Sequence, residues 1–110
     1  METSVNEKRL VSDLLRAINP EAVFVIPGSL LEILDDIDVA NTKIITAYHE
    51  EQLGYMAIGY YYETKKIPII IVSQGPGETN LITSISTAYR EQIPMLIVSA
   101  YKNDSSRVYF

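Results

Sequence analysis

Three short segments of the chain carry residue types that could do chemistry. They are Pro27-Gly28-Ser29, Tyr48-His49-Glu50 and residues 73–80, which read Ser-Gln-Gly-Pro-Gly-Glu-Thr-Asn. Each follows a short, mostly apolar run, which is typical of a strand covered on both faces of a parallel sheet. Ligands of open parallel sheets bind beyond the carboxyl ends of the strands, so the three segments are predicted to form one pocket there.

Glu50 is the first candidate for acid–base chemistry in this pocket. A helix is predicted over residues 50–64, which places the Glu50 carboxylate in a first turn, where the helix dipole stabilises negative charge. Most acids in such a position only stabilise the helix, and Glu51 fits that role better. His49 is the only histidine, and without further spaced ligands it is a poor metal site. A hydrogen-bonded loop histidine is therefore the favoured interpretation.

The Gly75-Pro76-Gly77 segment has the composition of a phosphate-binding loop but not its pattern. It has neither the Gly-x-x-x-x-Gly-Lys nor the Gly-x-Gly-x-x-Gly spacing, and no lysine follows it. Glycine also permits a backbone to approach a flat ligand closely. The segment is therefore interpreted as a loop that lies against a ring.

Composition excludes several classes of function. The chain has 110 residues, enough for a single domain spanning residues 1–110, and a formal net charge of −5. Its longest basic cluster is Lys65-Lys66, so nucleic acid is not an expected partner. The absence of cysteine excludes disulfides, thiolate catalysis and cysteine zinc sites. A polar, acidic beginning and no long apolar run predict a cytoplasmic protein without a membrane partner.

The segments are separated by alternating helix and strand patterns. Helices are predicted over residues 6–18, 30–36 (capped by Ser29), 50–64 and 78–90, and strands over residues 22–26, 43–47, 67–73 and 94–99. This alternation predicts an α/β fold, an open and mainly parallel sheet with helices on both faces. The tail over residues 101–110 is either flexible or packed on a partner.

The helix over residues 50–64 is predicted to bury Leu53, Met56, Ala57 and one of Tyr60 and Tyr61. The helix carries four tyrosines, at positions 55, 60, 61 and 62, which is more aromatic surface than one buried face of the helix would cover. We therefore expect another subunit to cover part of this helix, and an oligomer.

Three segments also match the motifs of one family, in order and in spacing. Residues 24–29 resemble a Phe-Gly-x-Pro-Gly-[Gly/Ser] loop, and residues 49–60 resemble His-Glu-x-x-Ala…Ala-x-Gly-Tyr-Ala. Residues 73–96 resemble Ser-Gly-Pro-Gly-Ala-Thr-Asn followed by Ala and then Pro-Leu. These motifs belong to the N-terminal, pyrimidine-binding domain of thiamine diphosphate enzymes such as acetolactate synthase, benzoylformate decarboxylase and the sulfopyruvate decarboxylase alpha subunit. The resemblance runs from residue 6 to residue 100.

The resemblance implies a role for each matching residue. Glu50 matches the glutamate that hydrogen-bonds N1′ of the cofactor's aminopyrimidine and tunes its acid–base chemistry. The activated cofactor then attacks the carbonyl of a 2-oxo acid, which loses carbon dioxide. The implied cofactor-binding residues are Pro27, Gly28, Glu50, Gly75, Pro76, Gly77 and Asn80. Ser29 and Gln74 are implied to lie nearest the substrate.

The family's second domain has no counterpart in this sequence. In the family that domain binds the pyrophosphate and Mg²⁺ through a Gly-Asp-Gly…Asn motif, and none occurs here. The resemblance therefore implies a partner domain or subunit that carries the Mg²⁺ site, and a chain that is inactive alone. Gln74, Tyr61 and Tyr62 also replace smaller residues of the family pattern.

Several interpretations remain open at this point. The chain could be one subunit of a two-chain 2-oxo acid decarboxylase or acetolactate synthase-like enzyme, with decarboxylation or carboligation as its reaction. It could instead be a non-catalytic interaction or regulatory module derived from such a domain, or a fragment of a longer enzyme. A small flavodoxin-like nucleotide binder would share the fold but would leave the three coincident motifs unexplained.

Overall fold

A computed structural model of the chain describes residues 13–26 and 41–100. The strands are β1 (Ala22–Val25), β2 (Lys43–Ile45), β3 (Ile69–Ser73) and β4 (Leu96–Ala100), and the helices are α1 (described over 13–18), α2 (Glu50–Thr64), α3 (Pro76–Thr79) and α4 (Ile82–Arg90). The predicted helix over 30–36 with its Ser29 cap, the first half of the helix over 6–18 and the tail over 101–110 lie outside the described residues.

The four strands form one parallel sheet in the order β2-β1-β3-β4. Phe24 of β1 aligns with Ile45 of β2 on one side and with Ile70 of β3 on the other. Parallel strands that follow one another along the chain need a crossover connection, and α2 supplies the one from β2 to β3. The predicted α/β fold with a parallel sheet is confirmed.

Both faces of the sheet are covered within the described residues. Val23 and Val25 of β1 pack with Leu15 of α1 on one face. Ala22 and Phe24, which alternate with them, pack on the other face in a cluster that includes Leu53 of α2. Side chains alternate between the faces of a strand, so a run buried throughout must be covered on both faces. The run of isoleucines in β3, buried throughout, has the same cause.

Helix α2 has the predicted bounds, and its two ends explain them. His49 caps its beginning, because the His49 Nδ1 accepts a hydrogen bond from the Glu51 backbone N–H at 3.1 Å. Lys65 ends it in the left-handed conformation, with φ of 60°, and donates its backbone N–H to Tyr61 at 2.7 Å. None of the helices in the described ranges is long and apolar enough to cross a membrane.

The predicted buried face of α2 is correct for Leu53 and Ala57 and wrong for Met56. Met56 is exposed, and the buried positions beside Leu53 and Ala57 are Gly54 and Ile58. The reason is that α2 faces both the sheet and α4, so its buried stripe is wider and rotated towards α4.

The helix predicted over residues 78–90 is two helices. α3 begins earlier, at Pro76, because a proline at the first helical position needs no partner for a backbone N–H. The backbone N–H of Leu81 then bonds to Glu78, one residue nearer than in an α-helix, at 3.1 Å, and this tighter turn separates α3 from α4. Strands β3 and β4 begin later than predicted, at Ile69 and Leu96. Pro68 and Pro94 precede these first paired residues, and a proline has no backbone N–H to donate to the neighbouring strand.

Helices α2 and α4 pack at very close range. A Cβ atom added to Gly54 would lie 1.9 Å from the Ser84 Oγ and 2.5 Å from the Ser84 Cβ. Ser84 is fully buried and donates its hydroxyl to the Leu81 carbonyl at 3.0 Å. Tyr55 and Thr87 add a hydroxyl–hydroxyl contact of 3.1 Å beside this point. The backbone of α2, and with it Glu50 at its first turn, is therefore held against α4.

Candidate functional site

The sheet order creates a place where a ligand could bind. β1 has β2 on one side and β3 on the other. From β1 the chain continues to β2 at one side of the sheet, and from β3 it continues to β4 at the other side, so the strand order reverses between β1 and β3. Open α/β sheets bind ligands outside the carboxyl ends of their strands at such a switch point. The segments after β2 and after β3 both lie at this edge.

Glu50 enters the site from the first turn of α2. The side chain is half-buried, and Glu50 is the first residue of the helix. His49, which caps the helix from an extended conformation, fixes the point at which the chain turns from β2 into α2. The prediction of a hydrogen-bonded loop histidine at position 49 agrees with this contact.

The turn after β3 presents its backbone at the same edge. Gly75 has φ of 85° and ψ of −121°, a combination that essentially only glycine adopts at low cost. The carbonyl of Gly75 accepts the backbone N–H of Thr79 at 3.0 Å and the Thr79 hydroxyl at 3.2 Å. The turn of residues 75–79 is therefore stabilised by hydrogen bonds between its own first and last residues.

Gly77 is the buried residue of this turn, and because glycine has no side chain a shallow depression is left at this point. A Cβ added there would lie 3.2 Å from the Ser73 Oγ, 3.6 Å from the Val72 Cβ and 3.9 Å from the Glu50 Oε1. The backbone at Gly77 thus lies beside one carboxylate oxygen with no side chain of its own between them. Such a surface can accept the edge or face of a flat ring.

Asn80 joins the turn to Glu50. The Asn80 Nδ2 donates a hydrogen bond of 3.0 Å to the Glu50 Oε2, in a part-buried position, across 30 residues of sequence. The Asn80 backbone is itself anchored, because its N–H donates to the Pro76 carbonyl at 2.8 Å. The two segments that the sequence placed at one edge are therefore in direct contact.

The turn is also tied to the neighbouring strand. The Ser99 hydroxyl, near the end of β4, donates a hydrogen bond to the Glu78 carboxylate. Ser99 was not among the predicted site residues, and Ser73 was predicted only as part of the segment of residues 73–80, without a role of its own. Ser73 is the last residue of β3, so its position at the carboxyl edge was a signal for it; the Glu78–Ser99 contact depends on strand order and had no local signal.

The predicted site residues fall into three groups. Glu50, Gly77 and Asn80 lie together, half-buried or buried. Gln74, Gly75 and Pro76 are exposed around them. Pro27, Gly28 and Ser29 lie outside the described residues, which reach Ile26 after β1.

The arrangement is suited to acid–base chemistry on a bound heteroaromatic ring. It offers one carboxylate with an oxygen held by an amide, and a glycine backbone beside the other oxygen. A ring nitrogen could exchange a proton with that second oxygen. Among the described residues, no group of three histidine, aspartate or glutamate side chains could hold a metal ion.

Known proteins are similar to this chain in sequence and in fold. Residues 6–108 match the family model described as "Thiamine pyrophosphate enzyme, N-terminal TPP binding domain". The acetolactate synthase large subunit of Haemophilus influenzae is 40% identical over 92 residues, which are 82% of this chain and 16% of that protein.

Solved structures agree with the sequence match. The thiamine diphosphate-dependent 4-hydroxybenzoylformate decarboxylase of Rhodococcus jostii superposes with a TM-score of 0.78 at 22% identity, over 90% of this chain and 19% of that one. The benzoylformate decarboxylase of Polynucleobacter necessarius superposes with a TM-score of 0.72 at 28% identity, over 84% and 18%. The chain spans less than a fifth of each of these proteins. It belongs to the family of N-terminal thiamine pyrophosphate-binding domains of thiamine pyrophosphate enzymes, and is similar to acetolactate synthases and benzoylformate decarboxylases.

Proposed function

We propose that this chain is the pyrimidine-binding half of the active site in a thiamine diphosphate-dependent 2-oxo acid decarboxylase or acetolactate synthase-like enzyme. The observation that carries the proposal is the contact of Glu50 with the turn of residues 75–80 at the carboxyl edge of the sheet. In a chain of this family, that contact places a carboxylate beside a glycine backbone that can lie along the cofactor's ring.

The residues of the chain have separate tasks in this proposal. Glu50 binds the aminopyrimidine and holds or takes up a proton at its Oε1, and the backbone of Gly75, Pro76 and Gly77 lies along the ring. By the family resemblance, Pro27 and Gly28 bind the cofactor, while Ser29 and Gln74 contact the 2-oxo acid. The bound cofactor supplies the nucleophile and the electron sink for decarboxylation.

A pyrophosphate-binding domain with Mg²⁺ must complete the site. It comes from a second chain or from the rest of a longer polypeptide, since the relatives are more than five times as long as the part that matches. Gln74, Gly75 and Pro76 are exposed beside the half-buried Glu50, as expected of a site that another domain covers. We place the assembled enzyme in the cytoplasm.

Assembly with another domain or subunit is also supported by the outer surface of α2 and α4. Large apolar side chains are exposed there, at Tyr55, Met56, Tyr62, Ile82, Ile85 and Tyr89. Several such side chains on adjacent helices favour burial in an interface.

The proposal is tested by affinity capture of the tagged protein from its native cells, mass spectrometry of what it carries, and titration of the captured material with thiamine diphosphate and Mg²⁺. We expect a polypeptide with a Gly-Asp-Gly…Asn segment, either associated or covalently continuous with this chain, and saturable cofactor binding. Captured material without such a segment and without cofactor binding would contradict the proposal and favour a non-catalytic module.

A further inference from the structure

We propose that Asn80 is a positioning residue for Glu50, so that its amide holds one carboxylate oxygen and leaves the other for the ligand. This inference rests on the proposed function, because it takes the cofactor as the ligand of Glu50. It differs from the role implied by family resemblance, in which Asn80 contacts the cofactor itself.

The amide nitrogen of Asn80 faces Glu50 and donates to its carboxylate, whose oxygens accept hydrogen bonds. The contact is made to Oε2 at 3.0 Å, while Oε1 lies on the side of Gly77. A hydrogen bond to a charged acceptor is directional and about twice as strong as a neutral one, so it fixes the plane of the carboxylate.

Asn80 lies in a segment that is held at several points. Its backbone N–H donates to the Pro76 carbonyl at 2.8 Å, and the backbone N–H of Thr79 donates to the Gly75 carbonyl of the same turn at 3.0 Å. The Glu78 carboxylate accepts the Ser99 hydroxyl of β4. The amide of Asn80 is therefore held relative to the sheet, and through it the end of the Glu50 side chain is held as well.

The side chain of Glu50 needs such a support. Its own helix fixes only its backbone, through the His49 cap and the packing of Gly54 against Ser84. A glutamate side chain has three rotatable bonds, and fixing them costs rotamer entropy. A carboxylate whose side chain is already ordered binds the ligand more tightly, because less conformational entropy is lost on binding.

The test measures thiamine diphosphate affinity in the complex of this chain with its pyrophosphate-binding partner. We expect Asn80→Ala to weaken binding about tenfold, the usual size for the loss of a hydrogen bond to a charged group. Asn80→Asp keeps the shape but brings a second carboxylate to Glu50, so we expect a larger loss. Thr79→Val is the matched control: it removes the side-chain bond to Gly75 from the same turn, and we expect affinity within about twofold of wild type.

The decisive comparison repeats Asn80→Ala in a Glu50→Ala background. If Asn80 acts through Glu50, the second substitution has nothing left to position and changes affinity by less than about twofold. A loss of about tenfold that persists in that background would mean that Asn80 contacts the cofactor directly, and would overturn the inference. Equal affinity of Asn80→Ala and wild type would overturn it too.

A second measurement separates this inference from the proposed function. In the ¹⁵N-labelled protein, Glu50→Ala is expected to shift the side-chain amide resonances of Asn80, whereas Glu51→Ala leaves them in place. No shift with Glu50→Ala would remove the contact on which the inference stands. A clear shift in a protein whose wild type binds no thiamine diphosphate would instead overturn the proposed function and, with it, the positioning role.

Discussion

Glu50→Gln is expected to lower the rate of the cofactor's proton exchange at least about 100-fold, the usual contribution of a positioned acid–base group. The amide oxygen of the new side chain can still accept the hydrogen bond of Asn80, now made to the Glu50 Oε2. Its amide nitrogen then occupies the place of Oε1, where it can neither take up nor release a proton. The substitution therefore removes the chemistry and keeps the shape.

This rate can be measured before the substrate is known. Deuterium exchange at the thiazolium C2 position of bound thiamine diphosphate, followed by acid quench and NMR, needs only the complex and the cofactor. Glu51→Gln is the matched control, because Glu51 lies in the same first turn and we assign it no contact with the ligand. Assembly and melting temperature should stay unchanged in both variants. Exchange at the wild-type rate in Glu50→Gln would refute the catalytic assignment.

Gly54→Ala is expected to destabilise the protein by about 3 kcal/mol, at the upper end for overpacked cores. The new Cβ would lie 1.9 Å from the Ser84 Oγ and 2.5 Å from its Cβ, distances at which α2 and α4 have to move apart. Ser84 cannot turn away at low cost, because it is fully buried and bonded to Leu81. Chemical denaturation of the purified protein measures the change in the free energy of unfolding.

Two further variants make this prediction specific to the helix contact. In the Gly54→Ala background, Ser84→Gly removes both clashing atoms and leaves the Leu81 Cδ2 at 3.4 Å, so most of the lost stability should return. Gly59→Ala on the same helix meets nothing within 4 Å and should stabilise the protein by up to about 1 kcal/mol. If Gly54→Ala proved as stable as wild type, the close packing of α2 on α4 would be wrong.

The sequence predicted the parts of the fold that local signals determine. Helix α2 was predicted with its bounds because His49 and Glu50 mark its beginning and its apolar spacing continues to Thr64. The break at Asn80 and Leu81 was missed, since both residues keep helical backbone angles and the apolar pattern runs on across them. The exposure of Met56 was missed for a related reason: which side of α2 meets α4 is a property of the assembled layers.

The candidate site shows the same limit. Glu50, Gly75 and Gly77 were identified because strand ends of a parallel sheet meet at one edge and glycine marks a close approach. From residue types alone, however, Glu50 was better explained as an acid that stabilises its helix. The family resemblance favoured the cofactor-binding role, and the contact with Asn80, which joins residues 30 positions apart, supports that proposal. No periodicity or spacing contains that information.

The most direct test of the proposed role of Glu50 is a crystal structure of the assembled complex with thiamine diphosphate and Mg²⁺. We expect the aminopyrimidine ring beside the turn of Gly75 to Gly77, the Glu50 Oε1 about 2.7 Å from a ring nitrogen, and the Glu50 Oε2 still bonded to Asn80. A cofactor bound elsewhere, or bound here with Glu50 turned away from the ring, would contradict it.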